Sequence, residues 1–147
     1  MTKRFDLGDI DTVKAANEGV EVELYHPATN EDLGIVITIL GRDSDIFQKI
    51  TRQQNKKRMD RMSKSGFRSG KLAPSPEEVE ADGLELLSEC TICWVTTDEE
   101  GARDTIPLEG EELPFSIENV KRVYSRFPWI KEQIDVAIGD RANFIKA

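Results

Sequence analysis

The chain has 147 residues, the size of one domain, with 38% hydrophobic residues, 33% charged residues and a net charge of −8. Such a length buries a core without staples. The longest apolar stretch, Ile35 to Leu40, falls far short of the roughly 20 residues of a membrane span. Two cysteines make no disulfide framework, Met1 to Asp6 holds no apolar signal core, and a globally acidic protein is a poor DNA-coating protein, so a soluble cytosolic protein is expected.

Val20 to Tyr25 alternates apolar and acidic residues, which predicts a half-buried strand. His26-Pro27-Ala28-Thr29-Asn30 breaks it with turn formers. Leu33 to Leu40 is β-branched and apolar and reads as a second, more buried strand. The short connection makes an antiparallel hairpin the natural pairing. Gly41-Arg42-Asp43-Ser44 ends it, and Asp43 or Ser44 can cap a helix. Ile46, Phe47 and Ile50 give that helix one apolar face. Beyond Thr51 the face thins to Met59 and Met62, so the helix either projects into solvent or lies against something another chain supplies.

Ser63 to Ser75, with Gly66, Gly70 and Pro74, reads as a linker or mobile loop. Ser75-Pro76-Glu77-Glu78 is a helix start: serine caps, proline takes the first position, and the acids face the positive end of the dipole. Apolar residues carry this helix to about Trp94, with Gly83 weakening it by about 1 kcal/mol relative to alanine. Thr96 to Pro114 is acidic and turn-rich. Ser116 caps a helix with Val120, Val123, Tyr124 and Phe127 on one face, Pro128 breaks it, and Ile130, Ile134 and Ile138 line a last helix. The expected fold is α+β: an N-terminal β-hairpin with a long basic helix (1–63), a mobile connector (64–75), and a mainly α-helical acidic part (76–147), together one compact unit.

Catalytic signals are sparse. Cys90 and Cys93 form a single CxxC, but zinc needs about four ligands and the only histidine is the distant His26. Late in a predicted helix they share one face, as packed thiols do. His26-Pro27 reads as a strand end, with no nucleophile framed around it. Gly66, Gly70 and Lys71 fail the phosphate-loop pattern, because three residues separate the glycines and Leu72 stands where Ser or Thr is required. Neither an enzyme nor a cofactor is expected.

Charge is the sharper feature. From Lys49 to Lys71 nine basic residues face one acid, Asp60, whereas from Glu77 to Glu112 thirteen acids face one base, Arg103. The basic segment, with Arg52, Lys56, Lys57, Arg58 and Arg61 at its centre, could grip phosphates. It could instead meet an acidic protein surface, including this chain's own Glu77–Glu112 stretch, or be a solvated face. Only Phe67 interleaves it, which gives no base-stacking platform and weighs against nucleic acid. A small nucleic-acid-binding regulator using Lys49 to Lys71 is the alternative function. The opposite charges also allow copies to associate head to tail.

Tyr25-His26-Pro27, Asp32-Leu33-Gly34 and Gly41-Arg42-Asp43-Ser44 before a basic helix resemble the start of tail assembly chaperones of long-tailed bacteriophages. Trp94, Leu108-Glu109-Gly110, Leu113-Pro114-Phe115, Glu118-Asn119, Phe127-Pro128-Trp129-Ile130, Gln133-Ile134 and Asn143-Phe144 are similar to the C-terminal pattern of that family. The resemblance covers about residues 20–60 and 90–145. It implies a non-enzymatic protein that binds the tape-measure protein and tail-tube subunits during tail assembly, in the host cytoplasm, and is absent from the mature virion. A chaperone of helices needs apolar anchors within a charged exterior. Phe47, Met59, Met62, Tyr124, Phe127, Trp129, Ile130 and Ile134 are the candidates, unless those of the C-terminal helices are simply its core.

Overall fold

The computed structural model describes residues 4–65 and 74–145. Most of the expected connector, with Gly66, Gly70 and Lys71, lies outside them. The fold is α+β, with the expected hairpin at its start. Before the hairpin comes a helix without an apolar pattern of its own, α1 (Thr12–Glu18), held at its start by Asp11, whose carboxylate accepts the N–H groups of Val13 and Lys14 at 3.1 and 3.0 Å. Strands β1 (Val20–Tyr25) and β2 (Asp32–Ile39) pair antiparallel. His26 closes their turn: its Nδ1 accepts the N–H groups of Ala28 and Thr29, both at 3.1 Å. The hydroxyl of Ser44 accepts from the N–H of Phe47 at 3.2 Å and opens α2 (Asp45–Ser65).

Ser75 caps α3 (Pro76–Glu89) as its sequence predicts, accepting from Glu78 N–H at 3.1 Å. The helix does not reach Trp94. It stops at Glu89, and Thr91–Asp98 forms a strand, β3. The run Thr-Ile-Cys-Trp-Val-Thr-Thr is almost wholly β-branched or aromatic, and its apolar residues suit a central strand as well as a helix. The acidic, turn-rich stretch also forms strands: β4 (Gly101–Arg103), β5 (Thr105–Leu108) and β6 (Glu111–Pro114). Glu109 and Gly110 both take positive φ, 51° and 86°, as a tight two-residue hairpin requires. Helices α4 (Ile117–Arg126) and α5 (Pro128–Gly139) follow, divided at Pro128 as expected.

The main sheet has the order β1-β2-β3-β4, with every neighbour antiparallel, so two strands from the acidic half complete the sheet that the hairpin begins. Val22, Ile37 and Trp94 lie in one cross-strand row. Leu24, Ile37, Ile39 and Trp94 on the sheet and Leu87, Val120, Val123, Ile134 and Ile138 on the helices share one buried cluster. At about 25 cal/mol per Å², burial of these side chains is the main stabilising term.

One ion pair ties the C-terminal turn to the loop before α2. Arg141 donates to both oxygens of Asp43, at 2.6 and 2.9 Å. These bonds hold the Asp43 carboxyl below its usual range. A carboxyl depressed in the folded state stabilises above its unfolded pKa of about 3.9 and ceases to do so as pH falls through the folded value. Thermal unfolding from pH 6 to pH 2 is therefore expected to lose stability more steeply in the parent than in Asp43→Asn; parallel curves would contradict this.

Candidate partner-binding surface

Helix α2 has 21 residues and is about 31 Å long. Its first turns dock by Ile46, Phe47 and Ile50, of which Ile50 is buried and the others half-buried against the core. The side that continues this stripe is polar because what it meets is polar. Gln54 Nε2 donates to the Asp82 carbonyl at 2.8 Å, Arg58 pairs with the Asp82 carboxylate at 2.8 Å, and Arg61 pairs with Glu78 at 2.9 Å. Positions 54, 58 and 61 follow helical spacing, so one face of α2 lies along α3. The acidic stretch of the same chain is thus a partner of the basic helix, and α2 does not simply project into solvent. Arg61 holds the Glu78 carboxyl below its usual range.

The opposite ridge of α2 faces outward. Arg52, Lys56 and Met59, the last 66% exposed, lie on it, with Met62, 37% exposed, at its margin; Lys57, one turn before Arg61, is exposed on the α3 side, where its charge also acts on Glu78. Of the five cations expected to make contacts, Arg58 and Arg61 are committed within the chain, Lys57 flanks their contact with α3, and Arg52 and Lys56 are presented.

The aromatic and aliphatic candidates separate into two groups. Tyr124, Ile130 and Ile134 are core residues and offer no anchor. Thr91 Oγ1 donates to the Leu87 carbonyl, so the Tyr124 hydroxyl donates to Thr91, at 2.8 Å; burial raises its pKa. Phe127 and Trp129 remain half-buried, with ring centres 6.3 Å apart at 64°, and the Arg126 guanidinium lies 5.4 Å from the Phe127 ring centre.

Trp129 borders a groove of about 540 Å³ between β1 and α5, with Val22, Tyr25, Gln133 and Val136 among its walls. Sequence reasoning passed over these wall residues. The available signal was Val136, an aliphatic residue off the Ile130–Ile134–Ile138 stripe and 73% exposed.

Cys90 and Cys93 do not share a helical face. Cys90 ends α3, buried, and Cys93 lies exposed on β3. Burial, with a smaller contribution from Glu89, pushes the Cys90 thiol up to about 12, which disfavours the reactive thiolate. Among the described residues no group of three His, Cys, Asp or Glu side chains is placed to hold a metal ion, and no helix is long and apolar enough to cross a membrane.

No family model, curated protein or solved structure matches the chain.

Proposed function

We propose that this protein is a non-enzymatic assembly factor of the tail-chaperone kind, binding the tape-measure protein and tail-tube subunits in the host cytoplasm and leaving before the virion is complete. The outer ridge of α2 supports the reading. Arg52 and Lys56 stand beside two exposed methionines on a helix that is anchored from behind by α3. Methionine side chains adapt to varied apolar stripes, and the cations steer an acidic partner towards them. An unpacked tape-measure helix exposes such stripes and aggregates unless they are covered.

Co-expression with the tape-measure protein of the same phage tests this. The parent chain is expected to keep that protein soluble and to co-purify with it. Met59→Ser with Met62→Ser, and separately Arg52→Glu with Lys56→Glu, should lose most of the capture while leaving thermal stability nearly unchanged, because all four side chains are exposed. Capture that survives both pairs of changes contradicts the reading. So does tight binding to duplex DNA at about 200 mM salt, where purely phosphate-driven contacts weaken steeply.

A further inference from the structure

We infer that the outer edge of β1 and the facing side of α5 form a docking groove for an extended segment of a protein partner, one that alternates basic and aliphatic residues and adds to the sheet as a further strand. This surface is separate from the ridge of α2, and the inference stands or falls independently of the function proposed above.

Strand β1 pairs only with β2, so its other edge is unpaired by any described strand. The edge is occupied at one point. Gln133 Oε1 accepts the N–H of Tyr25 at 3.0 Å, and Gln133 Nε2 donates to the Tyr25 carbonyl at 2.9 Å. One side-chain amide thus imitates a neighbouring strand and marks where an added strand must stop. The pairing with β2 shifts register between Glu23 and Tyr25, but the extra residues are on β2, and the His26 N–H still donates to the Glu31 carbonyl, so along β1 the backbone groups of Glu21 and Glu23 point to the same side as those of Tyr25. The space along them is already shaped: cavities of about 540 and 380 Å³ share Val22, Glu23 and Tyr25 and have α5 as their far wall. A strand edge beside a helix is the arrangement by which proteins take up extended peptides, with main-chain bonds giving affinity and alternate side chains giving selectivity.

Charge selects the occupant. Glu21 and Glu23 alternate with Val20, Val22 and Leu24 along the edge, Glu132 stands on the helical wall, and no Lys or Arg is among the residues lining either cavity. A strand laid antiparallel on β1 places one set of side chains against the two glutamates and the other against the valines and Val136. Lys or Arg suits the first set and aliphatic residues the second. A second copy of this chain is disfavoured, because β1 paired with β1 centred on Val22 sets Glu21 opposite Glu23 twice, and like charges opposed across strands are destabilising.

The test is fluorescence anisotropy of the full chain with a labelled peptide, Thr-Lys-Val-Lys-Val-Lys-Thr, and its counterpart with Glu in place of Lys. The lysine peptide is expected to bind at least about tenfold more tightly. Val136→Lys, at an exposed position, should weaken it by about tenfold, and Glu21→Lys with Glu23→Lys should reverse the preference between the two peptides. N-methylation of every second peptide amide should abolish binding in one phase and spare it in the other, which a purely electrostatic contact would not do. Equal binding of the two phases, or unchanged affinity in both variants, overturns the inference. So does a dimer in sedimentation that the two variants abolish.

Discussion

Trp94→Ala is expected to lower the unfolding free energy by about 3–5 kcal/mol in urea denaturation, the cost of removing a large buried aromatic side chain without collapse of the space it leaves. Trp94 is 0% exposed. It lies opposite Ile37 on the neighbouring strand and meets the Phe115 ring edge to face, with centroids 5.6 Å apart at 89°. Its indole N–H has no hydrogen-bond partner among the described residues, so the side chain acts through packing. Trp94→Phe, which keeps an aromatic ring and removes that N–H, should cost less than half as much. A Trp94→Ala variant within about 1 kcal/mol of the parent would mean that β3 is not the central strand of the core.

The second large effect is expected at Gly34. Its φ is 74°, and a Cβ built there would lie 2.5 Å from the Thr97 carbonyl oxygen of β3, with both groups belonging to backbone. The turn is fixed locally by Asp32, whose carboxylate accepts the Gly34 N–H at 2.8 Å. Gly34→Ala combines left-handed strain of about 1–2 kcal/mol with an overpacking penalty of about 1–3 kcal/mol, and the β2–β3 pairing must open to relieve it. The same change at Gly83 runs the other way. That glycine is inside α3 with nothing within 4 Å of a built Cβ, so Gly83→Ala should stabilise by about 0.5–1 kcal/mol. Melting both variants beside the parent checks the pair; Gly34→Ala melting at the parent temperature would contradict the close approach.

The hairpin was legible because its cues are local: period-two alternation in Val20–Tyr25, a β-branched run after it, and turn formers between. Ser44, Ser75 and Ser116 are caps for the same reason, each bonding an N–H three residues on. Strand β3 was not legible, because its apolar content continues that of α3 and its pairing partners on β2 are far away in sequence. The contact of α2 with α3 was legible in charge, as one of the readings of the basic segment, but not in its residues. Gln54, Arg58 and Arg61 look like a solvated face until the acids opposite them are placed. Of the candidate anchors, Tyr124, Ile130 and Ile134 could not be separated from Met59 and Met62 by residue type, since apolar periodicity reads the same whether the covering surface is the chain's own or another's. The groove beside β1 joins elements from the two ends of the chain, so no window of sequence contains it.

The main sheet grows in chain order, but α2 and α3 separate β2 from β3, so the hairpin waits for its next strand while both helices are made. When α2 has left the ribosome but α3 has not, β2 has one satisfied side and one bare side, and the aliphatic face of Ile35, Ile37 and Ile39 lacks the cover of α3, α4 and α5. The nascent hairpin is then itself a sticky edge, and it becomes safe only when the stretch through Asp98 emerges and pairs with β2.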